Sequence, residues 1–320
     1  MAAANCHLHS RAPHYPEGSL PEPPLTEQLN PASARIGVLS IEEKLRIMNA
    51  EDRKVAEAVG REIPAITRAV EAIVSSFQRG GRLFYIGAGT SGRLGVLDAS
   101  ECPPTFGVPA EMVQGIMAGG ERALARATES SEDDAAAGAR DLASHGFDAA
   151  DVLAGIAASG RTPYVLGAIG AARAMGATTI GISCVPDSEL ARAAEIPITP
   201  VTGPEVIAGS TRLKAGTAQK LVLNMLTTGA FIRLGYVYGN LMVNVQPTNE
   251  KLVERAVRIV GQIAGLDYEQ ARDALALAGN NVRVAILMAK MGASREAAEL
   301  GLAAVGGNLA EALKAMDNHG

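Results

Sequence analysis

From residue 40 onward the chain alternates between two hydrophobic rhythms. Ser40-Ile-Glu-Glu43 has the form of a capping box, in which a Ser side chain receives an N–H and a Glu three residues on returns the bond. Leu45, Ile47 and Met48 then supply an apolar face. A second helix is predicted from Ile63, with Pro64 in its first turn and Ile66, Val70, Ile73 and Val74 at helical spacing. After Gly80-Gly81 the rhythm changes. Leu83-Phe-Tyr-Ile86 is a short continuous apolar run, as expected of a strand buried on both faces. Further strands are predicted over 112–117, 151–157, 178–183 and 196–199, with helices over 132–143 and 163–175 between them. Strands alternating with helices imply a parallel sheet covered on both sides, and such sheets bind ligands beyond the carboxyl ends of their strands. A long apolar helix is predicted over 211–233. From Asn249 onward only helical periodicity and Gly breaks remain. The expected fold class is therefore α/β, a three-layer α-β-α domain with a parallel sheet plus a small C-terminal helical bundle.

Two loops carry the candidate chemistry: Gly87-Ala-Gly-Thr-Ser-Gly92 and Ala157-Ala-Ser-Gly-Arg-Thr162. Each follows a strand-like run and opens a helix-like run. Small residues there let the backbone approach a ligand, while hydroxyls and helix-start N–H groups point at it, which is the chemistry of a phosphate cradle. The first loop also fits the dinucleotide pattern G-x-G-x-x-G, but Asp98 and Glu101 come too early to hold a ribose. Thr90 and Ser91 add hydroxyl donors that suit a phosphomonoester better, with a purely structural tight turn as the plain alternative. Ser159 and Thr162 read equally well as helix caps or as ligand contacts.

Composition narrows the field. A net charge of −5 argues against nucleic acid, which needs a basic surface. Cys6, Cys102 and Cys184 lack metal spacing and look like reduced thiols. Of five His, three fall in the first 24 residues and leave only His145 and His319, so neither a zinc site nor a Ser-His-Asp triad is expected. No stretch reads as a membrane span or signal peptide, and a cytoplasmic protein is the default. Residues 1–24, with Pro13, Pro16, Pro21, Pro23 and Pro24, read as a disordered tail.

Three polar clusters remain. Glu101 lies in Asp98-Ala-Ser-Glu-Cys-Pro-Pro104, where the double proline is expected to end the helix and leave Glu101 in its last turn. A carboxylate there opposes the macrodipole, which invites a functional explanation beside that of a solvated surface acid. Glu132, in Thr128-Glu-Ser-Ser-Glu-Asp-Asp134, reads on its own as a first-turn acid of a helix capped by Ser130 or Ser131. Gly203-Pro-Glu205 and the run Ser210 to Lys220, with Arg212, Lys214, Thr217 and Gln219, form either an anion site or an ordinary charged helix end.

The chain resembles the N-acetylmuramic acid 6-phosphate etherases, single sugar-isomerase (SIS) domain enzymes of bacterial cell-wall recycling. The resemblance spans Leu25 to the C-terminus. It is dense in Gly87–Gly95, Asp98–Thr105, Gly155–Tyr164 and Gly209–Lys220. It implies cleavage of the ether between D-lactate and C3 of the sugar, by elimination and then hydration, with no metal and no other cofactor. Two carboxylates would do the work, Glu101 as acid toward the departing lactate oxygen and Glu132 as base. Gly89, Thr90, Ser91, Ser159, Gly160 and Thr162 become the phosphate and sugar contacts. Glu205 resembles a site glutamate of the wider superfamily, and Lys214 is the candidate partner of the lactate carboxylate. The resemblance also implies a homodimer with sites near the interface, a helical segment over 25–62, a SIS domain over 63–240 and a ubiquitin-associated-like bundle over 241–320. An aldose–ketose isomerase or a phosphosugar-sensing regulator on the same fold would share the cradle but release no lactate.

Overall fold

The structure, a computed structural model, describes residues 23–126, 131–247 and 249–317. The expected disordered tail falls on 1–22 and so lies outside the described residues, apart from its last two positions.

Two long helices come first, α1 (Ile41–Arg61) and α2 (Ile63–Gln78). The Ser40–Glu43 capping box that opens α1 is fully formed. Five strands then make one parallel sheet: β1 (Leu83–Gly87), β2 (Val113–Met117), β3 (Val152–Ile156), β4 (Thr178–Ile182) and β5 (Ile196–Ile198), in the order β2-β1-β3-β4-β5. The crossovers hold α3 (Gly89–Phe106), α4 (Arg122–Ala125), α5 (Ala135–Ser144), α6 (Pro163–Ala174) and α7 (Glu189–Ala193). A long helix, α8 (Lys214–Arg233), returns across the sheet.

The pleat sorts the strand residues between two layers. Leu83, Tyr85, Val152, Ala154 and Ile180 pack with α1, α2, α3 and α8. Phe84, Ile86, Ile116 and Leu153 pack with α5 and α6 on the opposite face. Apolar residues on both faces explain why these strands read as continuous runs rather than alternating ones.

After a short hairpin of β6 (Val237–Tyr238) and β7 (Leu241–Met242), the chain is helical: α9 (Glu250–Ala264), α10 (Tyr268–Leu277), α11 (Val282–Met291), α12 (Arg295–Ala304) and α13 (Leu309–Asp317). These helices enclose a core of their own, built on Val257, Val260, Ile286 and Leu287.

Two expectations about helix ends are overturned. The double proline does not stop α3, which runs through Pro103 and Pro104 to Phe106 and closes on Gly107, whose N–H donates to the Pro103 carbonyl at 2.9 Å. A proline's fixed φ suits a helix, and each ring removes only its own N–H and crowds the preceding turn. Burial of Cys102 and Phe106 against the core outweighs that cost. At the other site, α5 begins at Ala135 rather than near Glu132, because Asp134 is its N-cap and accepts the Ala137 N–H at 2.9 Å. Glu132 therefore precedes the helix and is not one of its first-turn acids.

Candidate functional site

At the carboxyl end of β1 the chain turns into α3 through a contact only glycine allows. A Cβ on Gly92 would stand 2.6 Å from the Gly87 carbonyl oxygen. Gly89 has φ +52, and a Cβ there would lie 3.2 Å from Glu132 Oε1. The residue before α3, Ala88, has no side chain able to cap it. The first-turn N–H groups of α3 thus open onto the cleft with their partial positive charge.

The second loop leaves β3 in the same direction. Ser159 Oγ accepts the Arg161 N–H at 3.3 Å, and Gly160 turns at φ +66 with Ser188 packed where its Cβ would be. Thr162 makes no side-chain cap on α6; its carbonyl accepts the Val165 and Leu166 N–H groups, both at 3.1 Å, and the helix begins with Pro163, which has no N–H to offer. The Tyr164 N–H instead donates to the Glu132 main-chain carbonyl at 3.0 Å. That bond holds Glu132 over the starts of α3 and α6 at once.

Between the loops is a cavity of about 180 Å³, lined by Gly89, Thr90, Ser91, Glu132, Ser159 and Thr162. At ~30 Å³ per water it holds about six waters' worth of ligand, which is room for a phosphate and a few sugar atoms. Thr26, Glu27, Gly209 and Thr211 also line it. Behind it, Ser91 Oγ donates to Gln219 Oε1 at 3.0 Å. Gly160 shapes the second loop without lining the cavity.

Glu205 and Lys214 do not line the cavity either. They are 1% exposed and knit α8 to α1. The Glu205 carboxylate accepts the Lys214 and Ala215 N–H groups at 3.1 and 2.9 Å and so caps α8. Lys214 Nζ meets Glu51 Oε2 at 2.6 Å, and Glu51 also accepts from Lys54 and from Asn30 Nδ2. Burial pushes the Glu51 carboxyl up, but the bonds from Lys214, Lys54 and Asn30 prevail and lower it to about 2. In Glu205 burial prevails, and its pKa is raised although it caps two N–H groups.

Glu101 lies elsewhere. It is exposed on α3, outside the cavity, and twelve residues beyond Gly89 at 1.5 Å of rise each puts it about 18 Å along the helix from the cradle. One turn before it, Asp98 is buried and accepts from Tyr85 Oη at 2.9 Å, Asn224 Nδ2 at 2.7 Å and Thr227 Oγ1 at 3.0 Å. That network fixes α3 against β1 and α8. The structure thus brings together Gly89, Thr90, Ser91, Glu132, Ser159 and Thr162, and leaves Glu101, Glu205 and Lys214 outside the cavity.

Thr26 and Glu27 escaped the sequence reading, and Thr211 was not named there as a site residue. Thr26 and Glu27 belong to no periodic element, and nothing local marks them. Thr211 lay within a cluster already singled out.

Among the described residues no helix is long and apolar enough to cross a membrane, and no group of three or more His, Cys, Asp or Glu is placed to hold a metal.

Residues 65–173 match the family model described as "Glucokinase regulatory protein N-terminal SIS domain". The chain is 56% identical over 287 residues to the N-acetylmuramic acid 6-phosphate etherase of Aeromonas hydrophila, covering 90% of this chain and 96% of that protein. It is 54% identical over 289 residues to the protein of the same name from Pasteurella multocida, with the same two coverages, 90% and 96%. Among solved structures, the phosphoheptose isomerase of Neisseria gonorrhoeae aligns with 60% of this chain and 99% of its own, at 18% identity and a TM-score of 0.44.

Proposed function

Because this chain belongs to the N-acetylmuramic acid 6-phosphate etherase family, we propose that it converts N-acetylmuramic acid 6-phosphate to N-acetylglucosamine 6-phosphate and D-lactate in cell-wall amino-sugar recycling. The observation that carries this reading is a carboxylate, that of Glu132, held inside a cradle of hydroxyls and the uncapped N-terminus of α3. The cradle supplies what a phosphate needs, and Glu132 supplies what a phosphate alone would not call for.

The phosphate is held by Thr90, Ser91, Ser159, Thr162 and the first N–H groups of α3, with Gly89 and Gly160 shaping the two loops. With the sugar ring open, the C1 aldehyde makes the C2 proton acidic. Glu132 removes that proton and the electron pair forms the C2–C3 double bond. The C3–O bond breaks, and the departing lactate oxygen takes a proton from Glu101. Water then adds at C3 of the unsaturated aldehyde, its proton going to the Glu101 carboxylate, while Glu132 returns its proton to C2, so that both acids regain their starting states. Glu205 and Lys214 serve this chemistry by fixing the start of α8 behind the cavity.

At about 18 Å from its own cradle, Glu101 meets a substrate only in another copy of the chain. We read the active form as a homodimer whose sites lie at the interface. Leu97, one turn before Glu101 on the same face of α3, is 51% exposed. A groove of about 620 Å³ between α2 and α8 leaves Ile63, Met225 and Ile232 open. A second copy would cover such apolar surface. The buried free thiols Cys102 and Cys184, each pushed by burial to about 12, suit a reducing compartment, and we place the activity in the cytoplasm.

The test is D-lactate release from the purified protein. Glu132→Gln and Glu101→Gln should each lower the rate by about 10³-fold while still binding the product. Mixing the two inactive proteins should restore about a quarter of the wild-type rate, since half the dimers then carry one intact site. Lactate release with no complementation would remove the shared site and keep the etherase. The match to a regulatory protein's SIS domain favours a phosphosugar sensor as second reading, and tight product binding without any lactate release would establish it.

A further inference from the structure

The segment ahead of α1 crosses the cradle and is anchored as firmly as the loops it faces. The Gly209 N–H donates to the Thr26 carbonyl at 3.0 Å. Asn30 Nδ2 reaches both Glu51 Oε2 and the Pro204 carbonyl at 2.9 Å, and Asn30 Oδ1 accepts the Ala32 N–H at 2.9 Å. Through Glu51 this strap is tied to Lys214 and the start of α8.

Thr26 is 4% exposed, forms part of the cavity wall, and its hydroxyl finds no hydrogen-bond partner among the described residues. A buried hydroxyl left unpaired is costly, and proteins tolerate few. Beside it in the same wall stands Glu27. A Cβ on Gly209 would fall 2.7 Å from Glu27 Oε2, so the carboxylate packs directly against the Gly209 backbone. An ionised carboxylate only accepts hydrogen bonds and repels a phosphate. Its complement is a neutral donor, a hydroxyl or an amide N–H.

We propose that Thr26 and Glu27 form a sugar subsite, in which the Thr26 hydroxyl and the Glu27 carboxylate bind hydroxyl or acetamido groups of a sugar whose phosphate sits on the two loops. This subsite rests on reading the cavity as a phosphosugar site. It divides the work within the cavity: the strand-end loops hold the anion, and the strap reads the sugar.

Calorimetry on the full chain tests this with two probes, N-acetylglucosamine 6-phosphate and inorganic phosphate. Thr26→Val should weaken the sugar phosphate by about tenfold and leave inorganic phosphate unchanged. Thr26→Ser, which keeps the hydroxyl, should bind as wild type. Without ligand, Thr26→Val should melt at the same temperature as wild type or higher, because it removes an unpaired buried hydroxyl; a structural role would lower the melting temperature. Glu27→Gln, which keeps the shape of the side chain, should selectively weaken the sugar phosphate. Wild-type affinity for the sugar phosphate in both Thr26→Val and Glu27→Gln, or equal losses for both probes, would overturn the subsite and leave the phosphosugar reading standing. Wild-type protein that binds inorganic phosphate but not the sugar phosphate would overturn both.

Discussion

The sheet half and the C-terminal bundle follow local rules to different degrees. In the bundle, Asn249, Asp267, Asn281 and Ser294 each cap the helix they precede, and Asp267 forms a capping box with Gln270. In the sheet half, α3 and α6 start without side-chain caps, and both starts border the cradle. The buried polar and charged side chains among the described residues all lie at or before Thr227. Of the three buried side-chain atoms without a partner among the described residues, Thr26 Oγ1 is in the cavity wall and Gln219 Nε2 is one bond behind Ser91. The third, Arg283 Nε, is at the joint, where Arg283 sits over Tyr236 and donates to the Gly307 carbonyl. Where only stability is at stake, each level of the sequence agrees with the fold; disagreement collects where a ligand completes the structure.

A glycine exchange in each half should break this symmetry most sharply. Gly92→Ala places a Cβ 2.6 Å from a main-chain oxygen that cannot yield. Several kcal/mol of stability should go, and D-lactate release with it. Gly301→Ala in α12 meets only the end of the Met316 side chain, 3.2 Å away. A flexible thioether gives way, and alanine's better helix propensity offsets the strain, so denaturant unfolding should move by less than about 1 kcal/mol. Equal losses in the two variants would erase the distinction.

Next in size is the buried ion pair. Lys214→Met leaves Glu51 without its buried cationic partner, since Lys54 is largely exposed. Breaking such a pair from one side costs about 3–5 kcal/mol. Replacing Glu51 by Leu in the same protein should recover much of that, because the uncompensated charge is then gone. Recovery of stability without recovery of product affinity would show that Asn30 needs Glu51 to hold the strap.

These contacts also mark the reach of the sequence. The strands, their parallel arrangement and both loops are legible because their signals are local, whereas the strand order is not. The Pro103-Pro104 reading failed because packing of Cys102 and Phe106, which no window of sequence displays, decided where α3 ends. Glu132 looked like a first-turn acid because Ser130 and Ser131 are as good caps on paper as Asp134. Lys214 and Glu205 were noticed as charged residues at a helix start, yet the sequence does not say whether a charge faces a ligand or a partner 163 positions away. Thr26 and Glu27 were silent for the same reason. Their place depends on Asn30 reaching Pro204, 174 residues on.

The pH dependence of stability is a smaller probe of the same contacts. Glu51 has its carboxyl lowered from 4.5 to about 2 in the folded protein. Its linked stabilisation is fully present above pH 4.5 and is lost as pH falls from there toward 2, up to ~3 kcal/mol in all. Glu205, with its pKa raised, acts in the opposite sense, favouring the folded state less as pH rises past 4.5. Urea unfolding at pH 3 and pH 6 should therefore show wild type weaker at pH 3, and Glu51→Gln should flatten that difference. An unchanged slope in the variant would move the acid sensitivity to other carboxylates.

The smallest change belongs to the bundle. Ser294 Oγ accepts the Ala297 N–H at 3.2 Å and does nothing else that reaches the cavity. Ser294→Ala exposes one helix-start N–H to water and should lower stability by about 1 kcal/mol. The bundle packs on its own core and lines no part of the cradle, so the rate of D-lactate release per folded molecule should not move. In the sheet half the signs separate: Thr26→Val is expected to hold or gain stability and to lose ligand. A drop in turnover for Ser294→Ala beyond the drop in folded fraction would mean that strain in α12 is felt at the site. The path would then run from Gly307 through Arg283, which sits over Tyr236 at the joint between the two halves.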